Sequence, residues 1–158
     1  MTDASFLDAG PDTPLTLKAE DEADLKIIAA LAQDAILPAN EISYDPRKRQ
    51  LALLINRFRW EDVDAARREG RPFERVRALL VLGDVLRVQS DGVDRDADTV
   101  LELLTIGWQA GQDGTGRLLL EFAGDGTLAA DVECINIDLR DVTKPYIAPS
   151  GKAPHHPE

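Results

Sequence analysis

Apolar and polar positions follow two different periods in the first third of the chain. Residues 14–19 alternate one by one, which predicts a short strand. Apolar residues then recur every three to four positions, which predicts a helix over about 21–35 that ends before Pro38. Its apolar stripe consists of Leu25, Ile28, Ala29, Ala32 and Ile36.

Beyond residue 40 the period changes to two, which predicts strands joined by short turns. Residues 41–45 and 50–60 flank the polar turn 46–49 and predict a hairpin, and the polar stretch 61–72 predicts a single helical turn. Further strands are predicted at 76–82, 84–90, 100–108, 117–123 and 127–134. Asp125-Gly126 between the last two supplies the positive φ angles of a tight hairpin.

The segment after Cys134 fits two structures. Ile135, Ile137 and Leu139 have the opposite parity to the preceding strand, so a β-bulge that reverses the register is one explanation. Ile135 and Leu139 also fit helical spacing, which favours a short C-terminal helix over 135–146.

These elements predict an α+β fold. An N-terminal helix accompanies seven or eight strands in consecutive hairpins, which pair antiparallel because short turns join them. Several strands are apolar on both faces, so the sheet is expected to be strongly curved or partly closed. By analogy alone, this arrangement is similar to small barrels of the pleckstrin-homology type.

Length and composition fit one folded domain. The chain has 158 residues, of which 44% are apolar and 30% charged. The domain is expected at 14–145, between tails at 1–13 and at 146–158, the second of them proline-rich. No apolar run approaches the roughly 18 residues of a membrane helix, and the N-terminus does not fit a secretory signal. One cysteine fits a reducing cytoplasm, so a cytoplasmic location without membrane partners is expected.

The charge is unevenly distributed. The net charge is −11, which disfavours nucleic-acid partners because phosphate backbones are repelled. Residues 47–77 nevertheless carry 10 basic and 5 acidic groups. Either neighbouring carboxylates neutralise this segment internally, which is the favoured explanation, or it forms a site for an anion or an acidic partner.

Several catalytic chemistries lack their residues in the predicted domain. Both histidines, His155 and His156, lie in the C-terminal tail, which excludes histidine-dependent catalysis and histidine-ligated zinc from the domain. Cys134 lies between apolar residues and is expected to be buried and unreactive. No metal, cofactor or catalytic residue is therefore predicted.

Two loops resemble ligand-binding motifs only superficially. Residues 111–116 contain three glycines without the Lys-Ser/Thr of a phosphate loop, and a strand follows them instead of a helix. Residues 94–98 alternate carboxylates as calcium loops do, but Thr99 and Thr105 stand where glycine and glutamate are required. Both are expected to be ordinary loops.

The remaining candidate for a ligand or partner site is the segment 56–61. Arg57 and Arg59 lie two residues apart on one strand face, a spacing that could bind one carboxylate or phosphate between them. The alternative is pairing with acidic neighbours while Trp60 packs at the rim of the sheet. The candidate binding residues are Asn56, Arg57, Arg59, Trp60 and Glu61.

Six stretches of the chain also carry a family resemblance. They are Leu17-Lys18-Ala19, Asp24-Leu25, Gln33-Asp34-Ala35, residues 54–61, residues 120–124 and residues 132–135. Together they resemble an uncharacterised alphaproteobacterial family, domain of unknown function 2948, and the Asn-Arg-Phe-x-Trp-Glu stretch is the most specific part. The resemblance implies a small, cytoplasmic bacterial protein of a single domain, and it implies no activity.

Three functions remain open from the sequence. The first is a non-catalytic interaction domain that binds a protein partner or itself through exposed strand edges. The second is a small-anion or phosphate-ligand module centred on Arg57, Arg59 and Trp60. The third is an enzyme that uses carboxylates alone, with a pair drawn from Glu102, Glu121, Asp131 and Glu133.

Overall fold

The computed structural model describes residues 14–93, 96, 98–149 and 153–154. Over these residues it contains 11 strands and two helices. The strands are β1 (Thr16–Ala19), β2 (Ala35–Pro38), β3 (Ile42–Asp45), β4 (Gln50–Phe58), β5 (Glu74–Leu82), β6 (Val85–Asp91), β7 (Val100–Ala110), β8 (Gly116–Phe122), β9 (Thr127–Val132), β10 (Ile137–Asp141) and β11 (Tyr146–Ile147). The helices are α1 (Glu22–Ala32) and α2 (Val63–Glu69), and 3-10 turns span Ala39–Glu41 and Trp60–Asp62.

The strands form one open antiparallel sheet in the order β1-β10-β5-β4-β2-β7-β8-β9-β6. β3 pairs with the first half of β4, and β11 pairs with the start of β5. The predicted α+β class is confirmed, although the strands are more numerous than the predicted seven or eight. Within the described residues the sheet has two terminal strands, β1 and β6.

The hydrophobic core lies between α1 and one face of the sheet. Leu51, Leu53 and Ile55 alternate with half-buried residues along β4 and are fully covered. α1 contacts β7, β1 and β4, and it buries Leu25 and Ile28 against them. None of the helices in the described part of the chain is long and apolar enough to cross a membrane.

The predicted helix over 21–35 is wrong at its C-terminal end. α1 ends at Ala32, and residues 35–38 form β2 instead, with Ile36 exposed. Asp34 adopts a left-handed φ of 65°, and its N–H donates to the Leu103 carbonyl at 2.7 Å. This turn brings the residues that follow it alongside β7. The sequence did not reveal the turn, because the apolar run after it is compatible with both a helical period and a strand period.

Not every pair of consecutive strands forms a hairpin, contrary to the prediction. β5 and β6 are adjacent along the chain, yet β6 pairs with β9 and β5 with β4 and β10. The chain changes from one half of the sheet to the other at Gly83, whose N–H donates to the Asn136 carbonyl at 2.8 Å. A Cβ atom at Gly83 would lie 2.7 Å from Asn136 Nδ2, so a larger residue here would have to displace the Asn136 side chain.

The predicted helix over 135–146 is also wrong. Residues 137–141 form β10, which inserts between β1 and β5 and buries Ile137 and Leu139. The neighbouring strands decide the structure here. A strand at this position forms backbone hydrogen bonds with both β1 and β5, whereas a helix would leave those backbone groups unpaired. β11 continues the fold past residue 145, and residues 1–13 lie outside the described residues.

Candidate functional site

Arg57 lies on the inward face of β4 and is fully buried. All five of its N–H groups have acceptors. Nε donates to Asp141 Oδ1 at 3.0 Å, and Nη2 donates to Asp141 Oδ2 at 3.0 Å and to Glu61 Oε2 at 2.8 Å. Nη1 donates to Glu61 Oε1 at 2.9 Å and to the Phe58 carbonyl at 3.5 Å. The guanidinium therefore binds two carboxylates of its own chain, each in a bidentate arrangement.

These two carboxylates come from distant parts of the chain. Glu61 lies in the 3-10 turn after β4, and Asp141 ends β10, 84 residues beyond Arg57. Asp141 Oδ2 also accepts the backbone N–H of Leu15 at 3.0 Å, just before β1. The ion-pair cluster thus joins β4, β10 and the start of β1.

The pKa values of the pair follow this geometry. Burial alone would lower the pKa of Arg57, but hydrogen bonds to Glu61 and Asp141 outweigh burial and raise it. Burial alone would raise the pKa of Glu61, but the hydrogen bonds and charge of Arg57 outweigh it and hold that pKa below its usual range. Both groups are therefore charged at neutral pH.

Two further arginines of this region, Arg59 and Arg71, also pair with carboxylates. Arg59 is nearly buried, and its Nη1 donates to Glu74 Oε1. Arg71 binds both carboxylate oxygens of Asp62 at 3.0 and 3.1 Å, and its Nε donates to Glu69 at 2.7 Å. Arg57, Arg59 and Arg71 are therefore neutralised by carboxylates of the same chain, which agrees with the first of the two explanations for these three residues, whereas Arg67 and Arg68 make no ion pair with a described residue.

Trp60 anchors the end of β4 to the turn after α1. Its Nε1 donates to the Gln33 carbonyl at 2.9 Å. Its ring packs edge-on against Phe58 with centroids 4.7 Å apart, and Phe58 packs on Phe73 at 5.7 Å. The indole therefore uses its one donor within the chain.

Asn56 differs from the other four candidate residues because it lies on the outer face of the sheet. It is directly opposite Ile36 on β2 and Arg77 on β5. Its side-chain Oδ1 is buried and has no hydrogen-bond donor in the part of the chain that the structure describes. A buried acceptor without a donor costs about 1–3 kcal/mol, so the Asn56 amide would gain a partner from a ligand that moves the groups covering it.

A groove of about 320 Å³ opens on this outer face, beside the 3-10 turn that separates β2 from β3. The residues that line it are Ile36, Pro38, Glu41, Leu54, Ile55, Asn56, Arg77 and Val100. Ile36 and Val100 leave 38% and 65% of their surface exposed. The exposed Arg77 side chain makes no ion pair with any described residue. We refer to this feature as the outer groove.

The predicted approach of Glu121 to Asp131 or Glu133 across the hairpin does not occur. Register places Asp131 opposite Arg117, to which it is bonded at 2.7 Å, and places Glu121 opposite Thr127. Glu133 pairs with Arg49 at 2.6 Å. Strand register therefore separates these carboxylates across the hairpin and engages two of them with arginines.

Cys134 is exposed, contrary to the prediction, because β9 ends at Val132 and the cysteine lies in the following loop. Desolvation and its hydrogen bond to Asp84 raise the pKa of the thiol. Among the described residues no three His, Cys, Asp or Glu side chains are placed to hold a metal ion. His155, His156, Asp94 and Arg95 lie outside the described residues.

Sequence reasoning missed Asp141, Glu74 and Arg77. Asp141 and Glu74 become partners of Arg57 and Arg59 only through strand pairing between distant segments, which no local pattern reveals. Arg77 carried a usable signal, because it is a charged residue at an outward position of β5 between the buried Val76 and Ala78.

Comparison with known proteins identifies a family. The family model described as "Protein of unknown function (DUF2948)" matches residues 15–156. No curated protein and no solved structure matches the chain significantly.

Proposed function

The chain belongs to the DUF2948 family of proteins of unknown function, and from that premise we propose that it is a non-catalytic interaction domain. Its outer groove binds an extended segment of a protein partner. The observation that carries the proposal is the buried Asn56 Oδ1, which has no donor in the described chain and lies directly beside the unpaired Arg77. An acceptor and a cation side by side suit a peptide, which offers N–H groups and carboxylates.

The lining of the outer groove supports a partner with both apolar and acidic side chains. Ile36, Leu54 and Val100 offer apolar contacts, so a small inorganic anion would leave most of the lining unused. Arg77 favours a carboxylate. The net charge of −11 disfavours nucleic acids, because the summed negative field of the chain repels a polyanion. A short acidic segment is affected mainly by the charges close to it, such as that of Arg77.

The ion-pair cluster around Arg57 supports the same proposal from inside the fold. It joins strands on the inward face of β4, and the outward face of that strand carries Leu54 and Asn56 of the groove. A binding surface needs such a rigid base, because ordering a mobile surface on binding costs affinity. Arg57 thus serves the site as a structural support.

The alternative of an anion site at Arg57, Arg59 and Trp60 is less well supported. A ligand at Arg57 would have to displace Glu61 or Asp141 from a buried cation, which is costly. For the location we propose the cytoplasm, since the free cysteine Cys134 is exposed and fits a reducing compartment.

Selection from a displayed library of random 12-residue peptides on the full chain tests the proposal. We expect enrichment of peptides that combine an acidic residue with apolar residues. We expect this enrichment to be lost in Arg77→Glu and retained in Arg68→Glu, a matched reversal of an exposed arginine on α2. Equal enrichment on both variants, or none on the unaltered chain, would contradict the proposal.

A further inference from the structure

β6 is the longer of the two strands that end the sheet. It pairs with β9 along one side only, and its other side has no strand beside it in the described part of the chain. Five of its seven residues are exposed, including Leu86 at 51%. A long, exposed strand edge offers a row of unpaired backbone N–H and C=O groups to another strand, and proteins usually block such an edge.

Charged side chains can block a strand edge by repelling an approaching strand. Those on β6 would not repel a second copy of β6, because they include one arginine and one aspartate that attract each other. Arg87 and Asp91 lie on the same face, four residues apart, with Gln89 midway between them. Neither makes an ion pair with a described residue. Asp131, which lies opposite Arg87 on β9, is engaged by Arg117 at 2.7 Å.

We propose that β6 pairs antiparallel with β6 of a second copy of this chain about a two-fold axis at Gln89. In this register Arg87 of each copy lies opposite Asp91 of the other, so the two-fold axis creates two cross-strand ion pairs. An axis at Arg87 or at Asp91 would place like charges opposite each other, which is destabilising. Of the antiparallel registers, only the one with its axis at Gln89 places Arg87 opposite Asp91, so the sequence of β6 favours it.

This pairing uses a surface different from the outer groove, so it does not rest on the proposed function. The interface is a single pair of seven-residue strands. An interface of this size predicts a weak dimer that forms at high protein concentration and weakens with added salt.

Sedimentation velocity of the full chain over a range of concentrations tests the proposal by charge reversal. We expect the unaltered chain to dimerise and both single variants, Arg87→Asp and Asp91→Arg, to weaken the dimer about tenfold or more. The double variant Arg87→Asp/Asp91→Arg is expected to restore it, because the swap recreates both opposite-charge pairs.

The matched control is Arg68→Glu, which reverses an exposed charge on α2, leaves β6 unchanged and is expected to dimerise as the unaltered chain does. A chain that is monomeric at every concentration would overturn the proposal, and so would a dimer that the single reversals leave intact. Failure of the double variant to restore the dimer, while circular dichroism shows it folded, would overturn the proposed register.

Discussion

At the scale of single residues, Arg57 determines how the segment 56–61 is interpreted. Two arginines on one strand face suggest a site for an external anion, yet the carboxylates that fill this site belong to the same chain. A buried cation can be stable in this way because Glu61 and Asp141 satisfy its charge and its hydrogen bonds together. The neighbouring Asn56, whose side chain faces outward, is the residue left with an unused acceptor.

Removal of the Arg57 guanidinium should therefore lower the stability of the fold. Arg57→Met leaves the carboxylates of Glu61 and Asp141 buried without their cation, and we expect it to lower the free energy of unfolding by about 3–5 kcal/mol. Urea denaturation measures the change. Arg68→Met on the exposed face of α2 should stay within about 0.5 kcal/mol. An equally small change for Arg57→Met would contradict the structural role.

The lowered pKa of Glu61 predicts a dependence of stability on pH with a definite sign. A carboxyl group whose pKa is lower in the folded state stabilises the fold above its ordinary pKa of about 4.3, and this contribution is lost as the pH falls through the folded value. The difference in unfolding free energy between the unaltered chain and Glu61→Gln should thus be largest near neutral pH and shrink below about pH 4.3.

Denaturation at a series of pH values measures this difference. Glu121→Gln, at an exposed position of β8, is the control and should change the free energy of unfolding little at neutral pH. A difference for Glu61→Gln that is constant from neutral to acidic pH would show that the ion pair does not lower the pKa of Glu61.

At the scale of elements, the strands could be predicted where turn residues bound a short apolar run. The hairpin of β3 and β4, and the strands β8 and β9, follow the predicted positions closely. β2 and β10 could not be predicted, because their apolar residues fit both a helix and a strand and only the neighbouring strands decide between them. The same long-range pairing hid Asp141 from the site prediction.

The short helix α2 depends on its C-terminal glycine. Gly70 has a φ of 66° and its N–H donates to the Ala66 and Arg67 carbonyls, so Gly70→Ala should lower the unfolding free energy by about 1–2 kcal/mol. A Cβ atom there meets nothing within 4 Å, so the cost would come from the backbone alone.

Gly107→Ala is the matched control, since a Cβ atom at this β7 position is equally free of contacts and its φ is not left-handed. It should be neutral or slightly stabilising. Thermal unfolding of the two variants compares them, and equal melting temperatures would show that Gly70 does not end the helix as described.

At the scale of the whole molecule, the two faces of the sheet differ: one has a structural role and the other carries the proposed binding surface. The inner face packs on α1 and holds the ion pairs of Arg57, while the outer face carries the groove with Asn56 and Arg77. The sequence alone gives the net charge of the chain but not this separation, because the distribution of charge over the two faces appears only once the strands are paired. The surface proposed to bind a partner is therefore the one opposite the arginine cluster.

The most direct measurement of this separation is a nuclear magnetic resonance titration of the labelled full chain with a peptide enriched in the selection. The account predicts that the largest shifts map to the outer groove, at the Asn56 side-chain amide and at Ile36, Arg77 and Val100. Shifts centred instead on Glu61, Arg59 and α2, with the outer groove unchanged, would contradict it.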